Sequence, residues 1–212
     1  MKLAVKKVLG VSMVSLMLAG VFGTAQADAI PYPSAGTYND TAYTFAAPTA
    51  GDVMAYWVGG DGAGDENQLG LLINGVLSSA GYGLDNHTSA VGNTFDLGAV
   101  SAGDSLIFVM HIVGSGDVYS DPTMNTFPDG SFGYNRIYST AYTATSPLYA
   151  GVPVGTYIGF EDLPFGNSDY NYNDESFVFR IAPARSAVPE PGSLALVGLA
   201  LAGVALKRRK AV

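Results

Sequence analysis

Eight short runs of β-branched and aromatic residues, each ended by glycine, asparagine, aspartate or proline, leave this 212-residue chain little to build except an all-β domain. They span residues 37–46, 52–58, 69–73, 94–97, 105–113, 136–142, 156–160 and 176–181, and no stretch between them carries a convincing helical period. The run 105–113 is almost continuously apolar, which predicts a central strand buried on both faces, with His111 as a hydrogen-bonded core residue. In 176–181, Phe177 and Phe179 alternate with their neighbours, as in a strand with one face on the core. Short strands joined by long turns predict a β-sandwich or jelly-roll-like domain, with the soft, glycine-rich loops 59–68 and 114–135 expected to be mobile.

Charge divides the chain into three parts. Of ten basic residues, three (Lys2, Lys6, Lys7) lie in the first seven positions and four (Lys207, Arg208, Arg209, Lys210) in the last six. Between Asp28 and Val188 only Arg136, Arg180 and Arg185 remain, against 17 of the 18 acids, so that body carries a net charge of −14 and no lysine. Such a balance excludes a nucleic-acid binder, which must neutralise phosphates. The absence of cysteine excludes disulfide staples, thiolate zinc sites and cysteine nucleophiles.

Both ends read as export signals. A basic start, an apolar run over 8–23 and the small residues Ala25 and Ala27 make residues 1–27 a secretory signal peptide, cleaved by signal peptidase after Ala27. At the other end, a linker over 182–188 leads into Pro189-Glu190-Pro191, an apolar stretch over 193–206 and the basic tail 207–210. As a helix, the fifteen residues from Gly192 to Leu206 would be about 22 Å long, a short membrane span whose basic flank stays cytoplasmic and leaves the acidic body outside. Segment 189–212 resembles the PEP-CTERM sorting signal of Gram-negative bacteria. The resemblance implies transient anchoring in the inner membrane, recognition of Pro189, Glu190 and Pro191 by an exosortase, removal of the tail, and delivery to the cell surface or the extracellular space, usually in species that make an exopolysaccharide.

The folded domain is thus confined to 28–181, and its sharpest local feature lies near the end. Gly159-Phe160-Glu161-Asp162-Leu163 is followed by a loop in which Asp169, Asn171 and Asn173 recur at alternate positions, with Asp174 and Glu175 next. Alternating oxygen donors in a tight loop can converge on a hard cation, so Asp169, Asn171, Asn173 and Asp174 are candidate calcium ligands, with Glu161 or Asp162 completing the shell. It is not an EF-hand: Asp174 stands where the turn needs glycine and Arg180 where the bidentate glutamate belongs. The competing reading is a run of Asx turns in which these side chains bond the backbone. The stretch resembles the closing signature of an uncharacterised secreted domain family found alone or in PEP-CTERM proteins, matched here at 159–163, 168–174 and 177–179, with 69–75 and 86–89 also similar. The family implies the β fold and supports an ion loop, but no enzyme.

Other motifs carry less. The acidic glycine loop 59–67 lacks the lysine and hydroxyl of a phosphate loop, and reads as a turn or a second weak calcium loop. Glu161 and Asp162, as adjacent strand residues, are expected on opposite faces, which does not suit a glycosidase pair. No serine has a histidine partner by motif. Tyrosines 32, 38, 43, 82, 119, 134, 138, 142, 149, 170 and 172 fall in or beside loops and strand ends, where exposed rings can stack on sugars. The sequence therefore predicts an exported, non-enzymatic surface or matrix protein associated with extracellular polysaccharide and calcium. The alternative is a secreted carbohydrate-binding protein or carbohydrate hydrolase.

Overall fold

A computed structural model describes residues 30–60, 63–143 and 147–183. The signal peptide with Ala25 and Ala27, most of the linker, the Pro189-Glu190-Pro191 motif, the apolar stretch 193–206 and the basic tail lie outside the described residues. The described residues form eleven strands: β1 (Phe45–Ala46), β2 (Gly51–Gly59), β3 (Asn67–Ile73), β4 (Val76–Leu77), β5 (Gly83–Asp85), β6 (Thr94–Val100), β7 (Ser105–Ile112), β8 (Gly116–Tyr119), β9 (Ile137–Tyr142), β10 (Gly155–Phe160) and β11 (Glu175–Ala182). They form two open antiparallel sheets. One has the order β6-β2-β11-β10-β9; the other runs β1-β7-β3-β4, with β5 also on β3 and β8 also on β7.

Alternation decides which side chains fill the space between the sheets. Val53 and Ala55 of β2, Ile158 and Phe160 of β10, and Phe177 and Phe179 of β11 meet Leu69 and Leu71 of β3 and Leu106, Phe108 and Met110 of β7 in one buried cluster. Phe108 lies against both Phe177 (5.3 Å between ring centres) and Phe179 (4.5 Å). On the outer face of the five-stranded sheet, Val58, Tyr142, Tyr149, Val152, Tyr157 and Val178 form a second buried cluster. The tyrosine excess is therefore partly structural: Tyr134, Tyr142, Tyr149 and Tyr172 are buried.

Several boundaries differ from the sequence expectation, each for a local reason. The run 37–46 is strand only at Phe45–Ala46, because Asn39 turns the chain. Its Oδ1 accepts the Thr41 N–H, while its own N–H donates to the Tyr172 hydroxyl (2.8 Å). Loop 114–135 is not featureless, since it contains β8 and a 3-10 turn at Pro122–Met124 whose start is capped by Asp121. The hairpin between β3 and β4 turns on Asn74 (φ 51°) and Gly75 (φ 81°), the Asn-Gly pair that two-residue hairpin loops favour. His111 is not in the core. It sits half-exposed on the outer face of β7, its Nδ1 2.7 Å from Asp117, with Tyr82 stacked on the ring. Among the described residues, no helix is long and apolar enough to cross a membrane.

Candidate cation cavity

The long connection between β10 and β11 ends where it began. β10 stops at Phe160 and β11 starts at Glu175, and these two residues are direct cross-strand partners. The residues just outside the pair, Glu161 and Asp162 on one side and Asp174 on the other, are thereby forced together. One oxygen from each of the three lies within 4.8 Å of the others. The expectation that Glu161 and Asp162 face opposite ways fails because both lie past the end of β10, where the backbone no longer alternates. The Asp162 N–H donates to Asp174 Oδ2 (2.7 Å), and the Asp174 N–H donates to the Phe160 carbonyl (3.0 Å).

The loop between them is a chain of local turns. The Tyr170 N–H donates to Ser168 Oγ, the Asn171 N–H to Asp169 Oδ1 and the Asn173 N–H to Asn171 Oδ1. Tyr170 and Tyr172 adopt φ of 54° and 57°, the left-handed region that L residues enter reluctantly. Asx turning and cation ligation are compatible here. Asp169 and Asn171 bond the backbone and still line the cavity, whereas Asn173 is buried and does not line it. Aromatic packing holds the loop down, with Phe165 and Tyr170 both against Tyr38 and Phe165 also against Phe127 and Tyr134.

The cavity has a volume of about 380 Å³, and its other wall is Ala63, Gly64 and Asp65. The two acidic loops that the sequence presents as separate features therefore face each other. Residues 86 and 87 pin the second loop: Asn86 Nδ2 donates to the Asp65 carbonyl (2.9 Å), and His87 Nε2 lies 3.2 Å from the Ala63 carbonyl. Arg136 is the element that the sequence reading missed. Its Nε donates to the Glu161 carbonyl (2.9 Å) and its Nη2 to the Asp162 carbonyl. The guanidinium thus anchors the backbone that carries the acids, bonding their carbonyls and not their carboxylates. The signal was available, since Arg136 is one of only three cations in the body.

Burial governs the electrostatics. Glu161 and Asp162 are buried and Asp174 is partly so. Desolvation, then the Glu161 charge, pushes the Asp174 carboxyl up to about 9. Desolvation, then the Asp169 charge, pushes Glu161 up to about 7. Glu161 Oε2 has no hydrogen-bond partner. With all three acids ionised, the cluster and Arg136 together carry two surplus negative charges, which one divalent cation would balance. The donors are all oxygens, the set that hard cations prefer.

Fold and site together define an all-β domain of two open antiparallel sheets with an acidic, oxygen-lined cavity at one end. Residues 187–210 match the PEP-CTERM protein-sorting motif, which supports export and processing as an exosortase substrate. No curated protein and no solved structure matches the chain.

Proposed function

We propose that this protein is a non-enzymatic component of the cell surface or extracellular matrix that binds calcium in the Glu161–Asp162–Asp174 cavity and associates with extracellular polysaccharide after exosortase removes its tail. The observation that carries the calcium reading is the convergence of three carboxylates on one cavity that Asp169, Asn171 and Asp65 also line. Calcium is the divalent cation that such a flexible all-oxygen set suits, and extracellular modules bind it at roughly 0.1–1 mM. The −14 body would repel an anionic glycan, and a divalent cation is the means of bridging the two.

Thermal melting of the full-length chain with and without millimolar calcium tests the cavity. A ligand that binds only the folded state at 100 times its Kd stabilises by about 2.7 kcal/mol, so the melting temperature rises; an unchanged value overturns the reading. Replacing Pro189, Glu190 and Pro191 by alanine should leave the tail uncleaved in the host, and normal release would contradict sorting through the motif.

The second reading, a secreted carbohydrate hydrolase, draws on Glu161, whose carboxyl at about 7 is in the range of a general acid. Hydrolysis of the host polysaccharide by the purified chain, abolished in Glu161→Gln, would favour it over the binding role.

A further inference from the structure

The cavity is larger than one ion needs. Glu161, only 1% exposed, brings to it a carboxyl oxygen with no hydrogen-bond partner. Asp162 and Asp174 each spend one oxygen on an N–H, from Asn67 Nδ2 (3.0 Å) and from the Asp162 backbone (2.7 Å), which leaves the other for an ion. The three acids therefore supply about one oxygen each, and Asp169 can add another from the rim, whereas calcium accepts about six to eight. About two to four positions on the ion remain open toward the cavity. A volume of about 380 Å³ is that of a small-molecule pocket, and far more than the few waters on those positions would fill.

Charge decides what can fill the remainder. Asp65, Glu161, Asp162, Asp169 and Asp174 all line the cavity, and when ionised they outnumber the charges of Arg136 and one divalent ion. The loaded cavity still carries surplus negative charge, so a carboxylate or phosphate ligand is repelled. A neutral ligand with adjacent hydroxyls is not. Its oxygens bind the ion, and the same hydroxyls have protons to donate to the Asp65 carboxylate on the opposite wall. The lining is also partly apolar. Leu163 is 41% exposed, and with Ala63 and Gly64 it offers a surface to the carbon atoms of such a ligand.

We propose that the open positions of the cavity ion take a pair of adjacent hydroxyls from a neutral sugar, with Asp65 accepting from the bound hydroxyls and Leu163 packing on the ring. This rests on the calcium reading above, and at this site it narrows the polysaccharide to a neutral one.

The test passes the full-length chain over immobilised mannan and dextran, two neutral polymers, in millimolar calcium and in chelator. Capture on at least one of them is expected in calcium and should be at least tenfold weaker in chelator. Free methyl mannoside or methyl glucoside should elute the protein at concentrations at least tenfold below those of glucuronate, which has the same hydroxyls and a negative charge. Asp65→Ala should keep the calcium-induced rise in melting temperature and lose at least tenfold in capture, while Asp174→Asn should lose both. A rise in melting temperature with no capture on either polymer overturns the sugar site and leaves the calcium site standing; no rise in the wild type removes both. Capture that survives chelator, capture undiminished in Asp65→Ala, or equal elution by glucuronate also overturns the proposal.

Discussion

The middle of the sandwich and its acidic end are built by the same two strands, yet they are stabilised in opposite ways. Phe177 and Phe179 of β11 and Phe160 of β10 fill the centre with Phe108, where apolar area leaves water under any conditions. One step outward along the same strands, the side chains become Glu161, Asp174 and Glu175, and the interior depends on protons or cations for its balance. Continuity of backbone does not imply continuity of energetics.

The largest expected effect belongs to the centre. Phe108→Ala should cost about 3–5 kcal/mol in chemical denaturation, by the same amount with and without calcium. A calcium-dependent loss would mean that centre and end are one cooperative unit. At the end, Asp174→Asn should abolish the calcium-induced rise in melting temperature, about 2.7 kcal/mol at 100 times Kd, while leaving the calcium-free protein as stable as before or more so. A variant that keeps the rise would exclude Asp174 as a ligand.

The two regions also separate on a pH axis. Asp174 and Glu161 have folded-state values of about 9 and about 7, above those of the unfolded chain. Their protonated forms therefore favour the fold fully below the ordinary carboxylate range, and that contribution is lost as pH rises through about 7 and then about 9. Calcium-free melting temperatures should fall from pH 5 to pH 9, and saturating calcium should reverse the trend by holding the carboxylates ionised. Identical profiles in chelator and in calcium would show that the acids do not bind the ion. The smallest effect lies outside both regions. Asn74→Ala removes bonds to Asp104 (2.9 Å) and to the Ser105 N–H (2.9 Å) from a left-handed turn residue, at about 1–2 kcal/mol by denaturation, independent of calcium.

Most of the centre was legible in the sequence. The runs around 52–58, 69–73, 105–113, 156–160 and 176–181 are strands because their apolar periodicity reflects burial, which residue type reports directly. The short pieces β4, β5 and β8 were not legible, since two to four residues carry no period, although Asn74-Gly75 signalled the first of these turns. At the acidic end, the sequence already grouped Glu161, Asp162 and Asp174 with the alternating residues of 169–173, but did not show which of the six lie closest together. The closest carboxylates are brought together by the pairing of Phe160 with Glu175, a contact across the sheet that no local spacing reveals. Asp65 and Arg136 joined the site for the same reason, and Glu175, which read as one more acid in a loop, proved to be the most deeply buried of them.

The direction of β11 gives the molecule a polarity. This strand starts at Glu175, beside the cavity, and runs eight residues to Ala182, about 26 Å toward the opposite pole of the sandwich. The sorting segment follows a few residues later in the chain. The chain therefore leaves its last strand at the end remote from the Glu161–Asp162–Asp174 cavity, beside Asp52, which pairs with Ala182. A tether attached through that end would leave the cavity at the free pole.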